Sequence, residues 1–175
     1  NDCYNTLLWA KQNAGTLGII PEKFIVAGHS AGGGLTAAVT LKARDTREVD
    51  IAFQMPIYPM IDDRQATASS QITEAPNWDA RNNAFAWNLY LKSLHETGAP
   101  IPAYAAPARN EDYSSFPPTI TFVGDLEPFR DETIAYAEAL QKAGVPNTFR
   151  IFKRCFHGFD IVGDKAPIAR EAIGF

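Results

Sequence analysis

Apolar residues fall into two kinds of stretch along this chain. Some are short unbroken runs that end at glycine or proline; others repeat an apolar position every three or four residues. KFIVAG, ending at Gly28, is of the first kind and lacks alternation, which suits a strand buried on both faces of a parallel sheet. VDIAFQMPIYP (49–59), closed by prolines, and TITFVG (119–124) are two more. NTFRIFKRCF (147–156) alternates and reads as a fourth strand. NDCYNTLLWAKQNAGTLGI at the start is compatible with a helix closed by Gly15 and Gly18. Gly33 to Arg44 is rich in Ala and Leu and predicts a helix. Arg81 to Glu96 predicts another, with apolar side chains at 84, 85, 87, 89, 91 and 94 and Gly98 at its end. RDETIAYAEALQKAG is the clearest: Ile134, Ala137, Leu140 and Ala143 share a face, acids lead and Gly144 closes. APIAREAIGF predicts the last helix. Residues 60–80, 103–119 and 158–167 read as loops from their prolines and small polar residues. Strands alternate with helices, so the class is α/β with a parallel sheet, and no internal repeat is visible.

Bulk properties narrow the field. A chain of 175 residues, 46% apolar and 21% charged, is one domain's worth with room for a core. A net charge of -4 argues against nucleic acid as the main partner. No apolar run approaches the ~18 residues a membrane span needs. The two cysteines, Cys3 and Cys155, form neither a disulfide framework nor a metal-ligand pattern, and suit two thiols in a reducing cytoplasm. The chain begins at Asn1 with a helix already in progress, which raises the expectation of further residues upstream.

The chemistry centres on Gly28-His29-Ser30-Ala31-Gly32-Gly33-Gly34. Gly-x-Ser-x-Gly between a strand and a helix is the nucleophile-elbow pattern. Such a sharp turn strains the serine backbone and brings neighbouring backbone so close that side chains at the flanking glycines would collide. The N–H of Ala31, at the start of the helix, is the expected oxyanion donor. A serine hydroxyl needs a base, and the base needs an acid to orient it. Of the three histidines, His29 adjoins the serine on a tight turn and should diverge from it, which suits a local structural role. His95 lies near the carboxyl end of a helix, where it suits the dipole. His157 follows the fourth strand, on the edge where the elbow opens, and is the candidate base. Asp125 and Glu127, after the third strand, are both candidate acids, and either gives the order Ser, acid, His.

The set GHSAGG, YPMID, SSFPPT, GDLEPFRDE and FHGF resembles the hormone-sensitive-lipase-like esterases, a branch of the α/β-hydrolase superfamily. The resemblance covers nearly the whole chain. The usual elbow there is Gly-Asp-Ser-Ala-Gly-Gly, so His29 stands in place of Asp. The usual acid motif, Asp-Pro-Leu-Arg-Asp-Glu, falls on Glu127 to Glu132 and favours Glu127 over Asp125. The resemblance also implies an upstream His-Gly-Gly motif, which supplies the other oxyanion donors, and four earlier strands; neither occurs in residues 1–175. This chain then corresponds to the carboxyl-terminal portion of such an enzyme, a single partial catalytic domain. Met60 to Ala108 falls where the family inserts part of a cap. KFIVAG, interior in the family, becomes an open apolar edge here, and we expect a preceding segment or a second copy to cover it.

These residues imply a serine hydrolase for short-acyl carboxylic esters, without metal or organic cofactor, acting through Ser30, His157 and Glu127. A peptidase or thioesterase of the same fold is an alternative. So is a non-catalytic binding module, either a lapsed hydrolase or a fragment short of oxyanion donors. Tyr58, Trp87, Tyr90, Phe129 and Phe159 could line an acyl pocket but suit core positions better. Asp62 and Asp63 suit loop capping rather than a metal, and Arg130 and Asp131 suit fixing the acid loop.

Overall fold

The computed structural model describes residues 1–175. Its centre is a parallel sheet in the order β1 (Phe24–His29), β2 (Ile51–Ile57), β3 (Thr119–Gly124), β4 (Asn147–Phe152). All four strands run the same way, so the segments that follow them share one edge of the sheet. Ser30, Tyr58, Glu127 and His157 all follow strand ends, and the topology therefore brings them together.

Helices α1 (Asp2–Gln12), α2 (Ala14–Leu17) and α3 (Ala31–Thr46) come before β2; α1 packs on α3 through Tyr4, Val39 and Ala43. After β2 come α4 (Ala80–Tyr90) and α5 (Lys92–Thr97), with single 3-10 turns at Ser69–Gln71 and Pro107–Arg109. Met60, Trp87, Leu91, Ala106 and Phe129 form one cluster that ties this stretch to the acid loop. Helix α6 (Arg130–Lys142) joins α3 through Ala37, Leu41, Tyr136 and Leu140. After β4, α7 (Phe159–Val162) and α8 (Pro167–Ile173) pack with Tyr58, Phe122 and Phe152.

Several expectations shift. The elbow strand is not buried on both faces: β1 alternates, and Ile25 is 62% exposed on the edge strand. Gly15 lies inside α2, and Gly18, at φ +67°, is the residue that ends it. The stretch 81–96 breaks at Leu91, which is buried with Trp87, while Phe85 and Leu89 face outward. The buried residues of α6 are Glu132, Thr133, Tyr136, Ala137 and Leu140, whereas Ala143 is exposed. Thr133 and Tyr136 can occupy that stripe because they are paired: Thr133 donates to the Phe129 carbonyl and Tyr136 to Gln54 Oε1. The fourth strand stops at Phe152, because Arg154 turns at φ +58° with its N–H on Asp125. The loop after His157 contains the short helix α7, entered through Gly158 at φ +75°.

Candidate active site

Ser30 follows β1 and caps α3 at φ 57° and ψ -120°, a region that costs a non-glycine residue energy unless its surroundings hold it there. Its N–H donates to the Ile57 carbonyl, and its own carbonyl accepts from Gly34 and Met60. The glycines act as expected with one exception. A Cβ on Gly28 would overlap the Gly32 carbonyl, and one on Gly34 would overlap that of Met60. A Cβ on Gly32 would meet nothing within 4 Å, so collision does not explain that glycine.

His157 Nε2 lies 2.8 Å from Ser30 Oγ, and Nδ1 lies 2.6 Å from Glu127 Oε2. The carboxylate takes the Nδ1–H, which leaves the Nε2 lone pair to accept the serine hydroxyl proton. Glu127 is fully buried, and its Oε1 accepts from the Gly124 N–H at 2.8 Å. Burial pushes its carboxyl above the ordinary range; the bonds from His157 and Gly124 oppose that rise. Ala31 opens α3, so it has no acceptor one turn earlier and its N–H is free to serve an oxyanion.

The other candidates separate from this row. Asp125 turns its Oδ1 to the Arg154 N–H at 2.6 Å, and its carbonyl accepts from Arg130. It shapes the turn and does not bond the imidazole. His29 is half-exposed, with Nε2 3.7 Å from Asp160. His95 is exposed on α5. Asp62 accepts from Arg64, while Asp63 takes a two-pronged bond from Arg109 at 2.7 and 2.8 Å. Asp131 exchanges two hydrogen bonds with Ser69, fastening the acid loop to the segment after β2.

The aromatics divide into three groups. Tyr58 and Phe129 form T-shaped pairs with the His157 ring, with centroids 4.7 and 4.9 Å away. Phe159 is core, beside Phe122 and Phe152. Trp87 and Tyr90 line an apolar cavity of about 190 Å³ with Ala31, Leu35, Met60 and Ala86. A larger polar hollow, lined by Arg44, Asp45 and Asp112, lies at the other end of α3, away from Ser30. Sequence reasoning missed Asn77, whose side chain donates to the His157 carbonyl at 2.8 Å from a backbone at φ +66°. Nothing in its sequence neighbourhood signals that bond. It also missed Asp160, three residues after the base.

A family model described as "alpha/beta hydrolase fold" matches residues 1–161. The chain belongs to the α/β-hydrolase family. Within it, the chain is similar to the hormone-sensitive-lipase-like esterases. An arylesterase of Saccharolobus solfataricus is 32% identical, over 86% of this chain and 49% of that protein. Carboxylesterase NlhH of Mycobacterium tuberculosis is 32% identical, over 99% of this chain and 55% of that protein. Among solved structures, a bacterial heroin esterase superposes with TM-score 0.93 at 40% identity, over 99% of this chain and 56% of its own. The chain spans about half the length of the relatives it matches.

Proposed function

We propose that the protein is a serine hydrolase that cleaves short-acyl carboxylic esters. The observation that carries this reading is the unbroken row from Glu127 Oε2 through His157 to Ser30 Oγ, at 2.6 and 2.8 Å. Ser30 attacks the ester carbonyl while His157 takes its proton, and the Ala31 N–H stabilises the oxyanion. His157 then hands the proton to the departing alkoxide, leaving an acyl-serine. Water, activated by the same imidazole, attacks that ester; the acid leaves and Ser30 regains its proton. Glu127 holds the ring in the required tautomer and stabilises the imidazolium. The esterase relatives support the ester class, and the small apolar cavity beside Ala31 supports a short acyl group.

Residues 60–108 act in this reading as a cap segment, since Trp87, Tyr90 and Met60 wall that cavity. Further polypeptide, either preceding residues or a second copy, covers the open β1 edge, where Ile25 is exposed. No helix is long and apolar enough to cross a membrane. A cytoplasmic location is proposed on the two free thiols.

The test is hydrolysis of p-nitrophenyl acetate, butyrate and octanoate by the full-length protein, with Ser30→Ala as control. The expected result is faster turnover of the two shorter esters and loss of all three activities in the variant. Wild-type turnover by Ser30→Ala would overturn the reading.

A further inference from the structure

We propose that His29 and Asp160 form a functional pair which, through Tyr58, positions the base His157; this rests on the serine-hydrolase reading above. Asp160 is a buried carboxylate, 4% exposed, that the reaction sequence does not use. Its Oδ1 accepts the Tyr58 hydroxyl at 2.8 Å, and its Oδ2 faces His29 Nε2 at 3.7 Å.

Tyr58 is the link. It is 1% exposed and sits at φ +32°, an unfavourable backbone for a bulky residue that must be held by its contacts. Its ring is steeply inclined to that of His157, with centroids 4.7 Å apart at 73°. Phe129 packs on the same imidazole in a second T-shaped pair, at 4.9 Å and 72°. These two rings limit imidazole rotation. The Asp160 bond fixes the hydroxyl end of Tyr58, and burial together with Asp160 keeps the phenol protonated as a donor.

A buried carboxylate with a single donor gains from any further polar partner. His29 Nε2 lies against its other oxygen, from a ring that is half exposed. The titratable groups around the pair are Tyr58 after β2, Glu127 in the acid loop and His157 itself. Apolar side chains, Ala27, Met55, Ile57 and Phe122 among them, line the hollow beside the pair, while the half-exposed His29 ring leaves it open to solvent screening. An aspartate at 29, as in the usual elbow, would set two carboxylates against each other here. The histidine avoids that repulsion.

Asp160 and Tyr58 are positioning residues, and a mutant cycle in the full-length protein tests them. His29→Asp, Asp160→Asn and the double variant are compared by two readouts. One is the rate of fluorophosphonate labelling at Ser30. The other is the proton NMR signal of His157 Nδ1–H, which reports the hydrogen bond to Glu127 without requiring turnover. We expect His29→Asp to slow labelling about tenfold and to broaden the signal by faster exchange. Asp160→Asn should slow labelling about threefold, because the amide oxygen still accepts from Tyr58. The double variant should recover to about the Asp160→Asn rate, with the signal sharpened again. Tyr58→Phe should lower kcat severalfold with KM unchanged.

Single effects that merely multiply in the double variant would overturn the pairing. So would a Tyr58→Phe protein with an unaltered signal and labelling rate. If His29→Asp fails to fold, His29→Gln replaces it and should couple to Asp160→Asn with the same sign. If the wild type is never labelled, the hydrolase reading fails, and the NMR cycle still decides the pairing.

Discussion

Glu127 Oε2 lies 2.6 Å from His157 Nδ1, while Asp125, two residues earlier, spends its carboxylate on the Arg154 N–H. The two acids therefore predict different consequences. Glu127→Gln keeps the shape but favours the wrong imidazole tautomer, and should lower kcat by about 10⁴-fold, as in comparable triads. Asp125→Asn should stay within about threefold of wild type, since it alters a turn contact and an exposed ion pair with Lys153. Steady-state kinetics on one short ester separates them.

The Glu127 carboxylate must stay ionised to orient His157, so its protonation adds a loss of activity at low pH to the loss caused by protonating the base. Burial raises Glu127, so its ionised form is lost at a higher pH than the ~4.3 of a free glutamate. Activity should therefore begin to fall, as pH is lowered, before an ordinary glutamate would protonate. A kcat/KM profile of the wild type against Glu127→Asp reads this directly. An unchanged acid limb in Glu127→Asp would assign the limb to another group.

Glu132 makes a stability prediction. Its Oε1 accepts from the Ile61 and Asp62 N–H groups, its Oε2 is buried without a partner, and burial raises its carboxyl well above the usual range. The folded state thus holds a proton that the unfolded state releases. The stabilisation is full below the unfolded value of ~4.3 and is lost as pH rises through the folded value. Glu132→Gln should nearly match wild type at about pH 4 and exceed it at about pH 8. Urea unfolding at the two pH values checks the sign.

The elbow glycines should not behave alike. Gly34→Ala forces a methyl onto the Met60 carbonyl and should destabilise by about 1–3 kcal/mol or more. Gly32→Ala meets open space in a helix and should be neutral, or stabilising by up to ~1 kcal/mol. Thermal unfolding of both variants is the measurement.

What the sequence reveals here is what local chemistry dictates. The strand runs, the glycines around Ser30 and the Gly144 stop are short-range features, and the structure keeps them with small shifts. Parallel topology alone brings the segments after β1, β3 and β4 to one edge, which is why Ser30 and His157 could be paired across 127 positions. The choice between Asp125 and Glu127 was beyond spacing, since it depends on how one tight turn aims two nearby side chains. Asn77 and Asp160 were hidden for a different reason: their partners are set by tertiary packing, 80 and 102 residues away. The outward Phe85 and Leu89 of α4 likewise defeat a reading that assigns every apolar residue to the core.

The most direct test of the central claim is the intact mass of the full-length protein after fluorophosphonate treatment, beside Ser30→Ala. One adduct on the wild type, mapped to Ser30, and none on the variant are expected. An unmodified wild type, or an adduct that persists in Ser30→Ala, would contradict it.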